Sequence, residues 1–249
     1  MTSKASPLKK ILSKFNLGNT YEIQARVLPA MLIMLPVAIL VAQVELHHGS
    51  WLAAIGWGVG LETVIAILIS KIGHALGAAL QTRLEKEWDG LPTHSWLRPS
   101  DTSHSEQQKT LWRKAVSLLS GLNIDKVLKT NDLEETDRVI ADAVAACRNF
   151  IRTNKKSALL NTHNIAFGFA RNLAGMKWIA LLTCLLCFGG SAYGTFYHGF
   201  SLGGTLLQGL FLLIASVYFW VAYSYVKHCS IRYAEFFYAA VTSIAGDKK

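Results

Sequence analysis

Three stretches of the chain, 27–44, 178–194 and 205–226, run for about a membrane's width without Asp, Glu, Lys or Arg. A fourth stretch, 51–70, holds one acid, Glu62. A helix that crosses a bilayer needs about 20 apolar residues, so the sequence predicts four transmembrane helices. Composition agrees, because 51% of the 249 residues are hydrophobic and only 16% are charged, against roughly 25% charged in soluble domains. The first run follows a basic lead, 1–26, with no small-residue cleavage site, which predicts an uncleaved span rather than a signal peptide.

Charge sets the expected orientation. Of the 25 Lys and Arg, five precede the first run, sixteen fall in 71–177 and four follow the last run, while the loops 45–50 and 195–204 contain none. Under the positive-inside rule both loops face outward, and both termini and the long middle segment face the cytoplasm. The expected architecture is an all-α membrane protein, with four transmembrane helices in two hairpins around a cytoplasmic helical domain. Its parts are a cytoplasmic interfacial helix in 1–26, a first hairpin in 27–70, a sensor domain in 71–177, a second hairpin in 178–226 and an amphipathic C-terminal helix in 227–249. In the lead, Leu8, Ile11, Leu12 and Phe15 oppose Lys9, Lys10 and Lys14, the pattern of a helix lying in the membrane plane. Trp51, Tyr193, Phe196 and Tyr197 at one end of the runs, and Trp178, Trp220 and Tyr223 at the other, supply aromatic belts. The hairpins share no matching Pro or acid positions, which argues against an inverted-repeat transporter.

Beyond Lys71, apolar positions continue through Leu76, Leu80 and Leu84 without a breaker until Asp89-Gly90, so the second span is expected to continue as a stalk. Gly90, Pro92 and Pro99 make 88–99 a turn region, with Trp88, Leu91, Trp96 and Leu97 available to pack. Ser103 with Glu106, and Asn131 with Glu134, have capping-box spacing. The first is expected to open a helix that turns Leu111, Ala115, Leu118 and Leu119 inward and ends at Gly121. The second opens a helix whose apolar stripe is Val139, Ile140, Ala143, Val144, Cys147, Phe150 and Ile151. A last helix from about Ser157 leads through Leu160, Ile165 and Phe169 into the third span. Ile231, Phe236, Phe237, Ala240 and Val241 form a stripe near the C-terminus.

Few residues carry chemistry. Glu62 lies 11 positions beyond Trp51, roughly 16 Å into the bilayer at 1.5 Å per residue, and an acid at that depth is expensive and functional by default. It lines a pore as a carboxylate ring, stays protonated and pairs across the bundle, or relays protons. Arg148, Arg152, Lys155 and Lys156 fall at i, i+4, i+7 and i+8, a basic strip suited to an anionic ligand such as a lipid, nucleotide or oligonucleotide; the plainer reading is a solvated or lipid-facing strip. Lys109, Arg113 and Lys114 flank Trp112 in a second basic cluster where a base could stack. The glycine pairs Gly56/Gly60, Gly73/Gly77 and Gly190/Gly194 predict close helix approach, and Pro36 a kink in the first span. Cys184 and Cys187 lie inside an apolar run and read as core residues. No hydrolase, P-loop, dinucleotide or metal-protease motif is present, so the expectation is a non-enzyme with no cofactor and no metal site.

Two further segments, Trp88-Asp89-Gly90-Leu91-Pro92-Thr93 followed by Leu97-Arg98, and 164–173 from Asn164 through Arg171 and Asn172 to Leu173, resemble a family of bacterial inner-membrane proteins. With two hairpins around a helical domain, the chain also resembles the membrane effectors of antiphage systems, in particular the channel-forming partner of a nucleotidyltransferase in Hailong-type defence. That resemblance implies a homo-oligomeric inner-membrane channel opened by an oligonucleotide that the nucleotidyltransferase partner makes. On the residues alone, the rivals to a channel are a non-conducting membrane scaffold or partner-docking protein and, third, a lipid-acting enzyme.

Overall fold

The computed structural model describes residues 20–130, 132–154 and 158–247, with the side chains of 53–63 outside the description. Among the described residues all regular structure is helical. In order it comprises α1 (Thr20–His47, with a π segment at Ile23–Val27), α2 (Trp51–Glu87), the short α3 (Pro92–Ser95), α4 (Glu106–Ser120), the short α5 (Ile124–Val127), α6 (Leu133–Asn154), α7 (Ala158–Gly175), α8 (Lys177–His198) and α9 (Leu202–Gly246). Four helices, Thr20–His47, Val64–Glu87, Lys177–His198 and Leu202–Gly246, are long and apolar enough to cross a membrane. Their outward faces carry Leu32, Leu182, Leu186, Leu206, Leu213 and Val217, all exposed; such a continuous apolar surface suits lipid rather than water. Trp51, Trp178, Tyr193, Phe196, Tyr197 and Trp220 are exposed as well, as belt residues are.

Two compact units divide the chain. One takes the residues up to Gln81 together with Gly168–Val226, the other Thr82–Phe167 together with the residues from Lys227 onward. α2 is one unbroken helix of 37 residues, about 55 Å at 1.5 Å per residue, as its sequence predicts. α9 is also unbroken, over 45 residues. The separate C-terminal helix expected from 227 is therefore a continuation of the last apolar helix, because nothing between Tyr225 and Cys229 breaks it.

In the first unit glycines govern the packing. A Cβ on Gly77 would lie 3.0 Å from the Asn172 Cα, and one on Gly175 would lie 2.7 Å from the Gly77 nitrogen and 2.8 Å from the Leu76 carbonyl carbon. α2 and α7 thus cross with their backbones nearly touching. A Cβ on Gly168 would meet Ala25 of α1 at 3.0 Å. Gly73 makes room for Met176, and a Cβ on Gly190 would lie 3.5 Å from the Leu40 side chain; the pair Gly56/Gly60 falls within 53–63. Below the crossing, Ile33, Met176 and Ala180 form a buried cluster with Ile69, Leu173 and Ile179 against it.

The second unit is built on an aromatic stack. Trp112 of α4 lies parallel to Tyr238 of α9, ring centroids 4.3 Å apart at 15°, and Trp96 stacks on Trp112 at 5.7 Å and 18°. Each such pair contributes about 0.5–1.5 kcal/mol beyond its area burial. Tyr238 donates its hydroxyl proton to the Thr93 carbonyl at 2.7 Å, so the turn region after α2 is tied to α9. α6 buries Ile140, Ala143, Val144, Cys147 and Ile151 of the stripe its periodicity predicts, leaves Val139 and Phe150 half-buried, and adds Thr136.

Three local expectations are corrected. The cap of α4 is Ser105, which accepts from the Gln108 N–H at 3.3 Å, because the Ser103 hydroxyl is taken by the Asp101 carboxylate at 2.7 Å. The cap of α6 is Asp132, which accepts from the Glu135 N–H at 3.0 Å; Asn131 lies outside the described residues. Finally, α4 turns Leu111 and Leu118 outward, 53% and 49% exposed, and buries Trp112 and Val116 with Lys109 and Arg113 instead. Gly121 does end α4, in the left-handed conformation at φ 76°. The in-plane helix expected in 1–26 lies almost wholly outside the described residues.

Candidate functional site

The second unit contains a cleft of about 560 Å³ between α6, the start of α7 and Tyr233 of α9, within the roughly 300–1,000 Å³ range of small-molecule sites. Its floor is apolar: Ile151, Leu160 and Tyr233 are buried and line it with Ala145 and Ala158. Its rim is polar. Arg148 and Arg152 stand one turn apart on α6 with Asn149 beside them, and Asn161 and Asn164 one turn apart on α7 face the same space. Arg152 Nη2 donates to Asn149 Oδ1 at 3.2 Å, so the two side chains meet at the rim. Guanidinium groups bind phosphate and carboxylate oxygens through paired, charge-assisted hydrogen bonds, and carboxamides both donate and accept. The arrangement can therefore hold a ligand with an anionic group and a flat or apolar body.

Sequence spacing finds Arg148 and Arg152. Lys155 and Lys156 lie outside the described residues. Asn149, Asn161, Asn164 and Tyr233 were not expected at a site, since three of them come from other helices and neutral amides carry no charge signal. Behind the rim, burial first and then the positive Arg148 and Arg98 push the pKa of His94 down to about 4, so its imidazole is neutral near pH 7. Burial raises the Cys147 thiol to about 11, so it is protonated near pH 7.

The second basic cluster is not a stacking platform. Lys109 is 2% exposed; its ammonium donates to the carbonyls of Asp101 at 2.7 Å and Pro99 at 3.2 Å and pairs with Glu106. Arg113 donates from Nε to the Leu97 carbonyl at 2.8 Å. Both cations clamp the 97–101 segment, and Trp112 is already packed against Tyr238 and Trp96, whose rings also stack on each other at 6.0 Å. Arg98 extends the clamp to α6 with a bidentate pair to Asp137, at 2.7 and 2.8 Å. The Trp88-to-Arg98 segment is thus held by Arg113 of α4 and Tyr238 of α9 and by its own Arg98, which also donates to the Asp89 carbonyl at 2.6 Å.

Glu62 lies in α2, its side chain outside the description. The apolar helices do contain a polar seam that hydropathy hides. Ser191, fully buried, donates to Gln43 Oε1 at 2.9 Å and is hydrogen-bonded to the Thr205 hydroxyl at 2.8 Å, and Thr195 joins Thr205 at 2.7 Å. Gln208, also fully buried, donates to the Pro36 carbonyl at 2.8 Å. Cys184 and Cys187 are buried in α8, and among the described residues no group of His, Cys, Asp and Glu could hold a metal ion. Set against protein-family models, curated proteins and solved structures, the chain matches none of them.

Proposed function

We propose that the protein is an oligomeric membrane channel gated through its helical unit by a phosphate-bearing anionic ligand held at Arg148 and Arg152. The observation that carries this reading is the cleft: a basic, amide-lined concavity with an apolar floor, in a chain that also has four helices long and apolar enough to cross a membrane. Support for coupling comes from α2 and α9, each of which contributes residues to both units as one unbroken helix. A ligand that shifts α6 against α7 changes the register in which the aromatic stack holds α9, and the same helix continues through an apolar span. Glu62, alone in its run, is the pore-facing acid in this scheme, and a ring of such carboxylates favours cations. The lack of Lys and Arg in both loops supports termini and helical unit in the cytoplasm of a bacterial cell. The resemblance to channel-forming antiphage effectors points to a nucleotide or oligonucleotide supplied by a nucleotidyltransferase partner.

The test is ion flux from liposomes loaded with purified protein, with short oligonucleotides as the probe ligands. Flux that rises on ligand addition, and is lost in the double variant Arg148→Gln, Arg152→Gln while membrane insertion persists, supports the reading. Glu62→Gln should then conduct with less cation preference. Tight vesicles at every ligand concentration, from an oligomer that still binds its partners, would leave a non-conducting scaffold.

A further inference from the structure

The tight crossing of α1, α2 and α7 gathers basic side chains that the cleft does not use. Arg26 lies in the π segment of α1, where one residue more per turn displaces the backbone from the regular ladder. The segment's Ala25 carbonyl accepts from the Nδ2 of Asn172, fully buried on α7, at 2.6 Å. Next to Asn172, Arg171 donates to Gln81 Oε1 of α2 at 2.6 Å. Arg26 is oriented by Glu22 at 2.7 Å. His74 of α2 is near enough to them that Arg26, Arg171 and Lys71 all act on it electrostatically, with Glu22 acting in the opposite sense. His74 Nδ1 and Arg26 Nε are buried without a hydrogen-bond partner among the described residues.

The level of this cluster in the chain is equally specific. Arg26 is the last charged residue before the run 27–44, and Lys71 the first after the run 51–70. Both therefore stand where an apolar helix leaves hydrocarbon for the headgroup layer. Lys71 is exposed, so its ammonium reaches that layer on a flexible stem, whereas the two guanidiniums are held by partners on their own or neighbouring helices. Basic pockets between helices at this depth bind lipid phosphates. We propose that Arg26, Lys71, His74 and Arg171 form a phosphate site at the membrane surface, filled by the headgroup of an anionic phospholipid that bridges α1, α2 and α7. The site is independent of the channel reading and rests only on the apolar helices lying in a membrane.

The experiment compares the full chain in phosphatidylcholine nanodiscs with and without phosphatidylglycerol, reading melting temperature and, by native mass spectrometry, retained lipid. The proposal expects a higher melting temperature with phosphatidylglycerol and retained phosphatidylglycerol adducts. It expects retention weakened by well over tenfold in Lys71→Gln, His74→Gln, since the loss of one charge-assisted contact is already worth about a factor of ten. Lys71→Arg should retain the lipid. If the double variant fails to fold, Lys71→Gln alone, at an exposed position, gives the same reading with a smaller loss. Lys227→Gln, which alters the base following the last apolar run, controls for topological charge. Equal lipid retention in parent and Lys71→Gln, or an equal loss in Lys227→Gln, overturns the site. Stabilisation of the parent in phosphatidylcholine by inorganic phosphate or glycerol phosphate, without any further effect of phosphatidylglycerol, overturns the lipid as its occupant.

Discussion

Replacing Lys109 by Met separates the clamp from the stacking platform that its sequence suggests. Methionine preserves the apolar stem, which is 2% exposed, and removes every donor. Two hydrogen bonds of good length disappear, to Asp101 at 2.7 Å and Pro99 at 3.2 Å, together with one at the limit, to Arg98 at 3.5 Å. Hydrogen bonds from a charged donor contribute about 1.5–3 kcal/mol each, so the two good ones sum to about 3–6 kcal/mol. Against that stands the desolvation no longer needed to bury an ammonium, and the freed carbonyls lie next to Pro99 and Ser100, which border solvent, so water reaches some of them. The net loss should be about 2–3 kcal/mol. At about 2–4 °C per kcal/mol for a chain of this size, the melting temperature in detergent, followed by tryptophan fluorescence, should fall by about 4–12 °C. Hydrogen exchange at 97–101 should accelerate with it. Glu106→Gln is the control, because the Glu106 side chain is 63% exposed and such a pair is worth under about 1 kcal/mol. Unchanged melting and unchanged exchange in Lys109→Met, with weakened binding of oligonucleotides, would refute the clamp and restore the platform.

Other expectations are as concrete. The folded pKa of His94 is about 4 against an ordinary 6.5, through burial first and then Arg148 and Arg98. The unfolded chain thus takes up a proton that the folded chain refuses, so stability is full above about pH 6.5 and falls toward pH 4 by at most about 3 kcal/mol. Melts from pH 7 to 4 should show that slope, flattened in His94→Gln; equal slopes would assign it to other groups. Gly175→Ala places a Cβ 2.7–2.9 Å from the backbone of Leu76 and Gly77, forcing α2 and α7 apart at a cost of about 1–3 kcal/mol or more; an undiminished melting temperature in detergent would contradict the crossing. Gly90→Ala, at φ 101° with Arg98 Nη2 at 3.4 Å, should cost more than Gly121→Ala, at φ 76° with nothing within 4 Å: about 2–3 against about 1 kcal/mol. Thermal melts of the two variants side by side decide the order.

The apolar helices were legible because hydropathy is a property of each residue, as was the stripe of α6, whose 3.6 period needs no partner to be seen. The face of α4 was not. Two cations normally mark the solvent side, and Lys109 and Arg113 go inward only because carbonyls 8 and 16 residues upstream wait for them, a non-local fact. The same segment moved the cap: Ser103 fits the spacing rule, but Asp101, pinned by the Lys109 clamp, takes its hydroxyl and leaves the role to Ser105. Half of the cleft could be read, namely Arg148 and Arg152 one turn apart. Asn161, Asn164 and Tyr233 come from helices that sequence spacing cannot bring to α6, and Gln43, Ser191 and Thr205 look like incidental polar residues in apolar runs until they meet.

The seam between α1, α8 and α9 sets a schedule for synthesis. Gln43 meets Ser191, 148 residues later in the chain, and the Pro36 carbonyl meets Gln208, 172 residues later. At about 5–20 residues per second, the first apolar helix waits for roughly 10–30 s in lipid with a carboxamide whose partners have yet to be translated. During that interval the Gln43 carboxamide lacks Ser191, and a ribosome that stops before that residue leaves it so permanently. Chains truncated there should be the ones that membrane quality control removes.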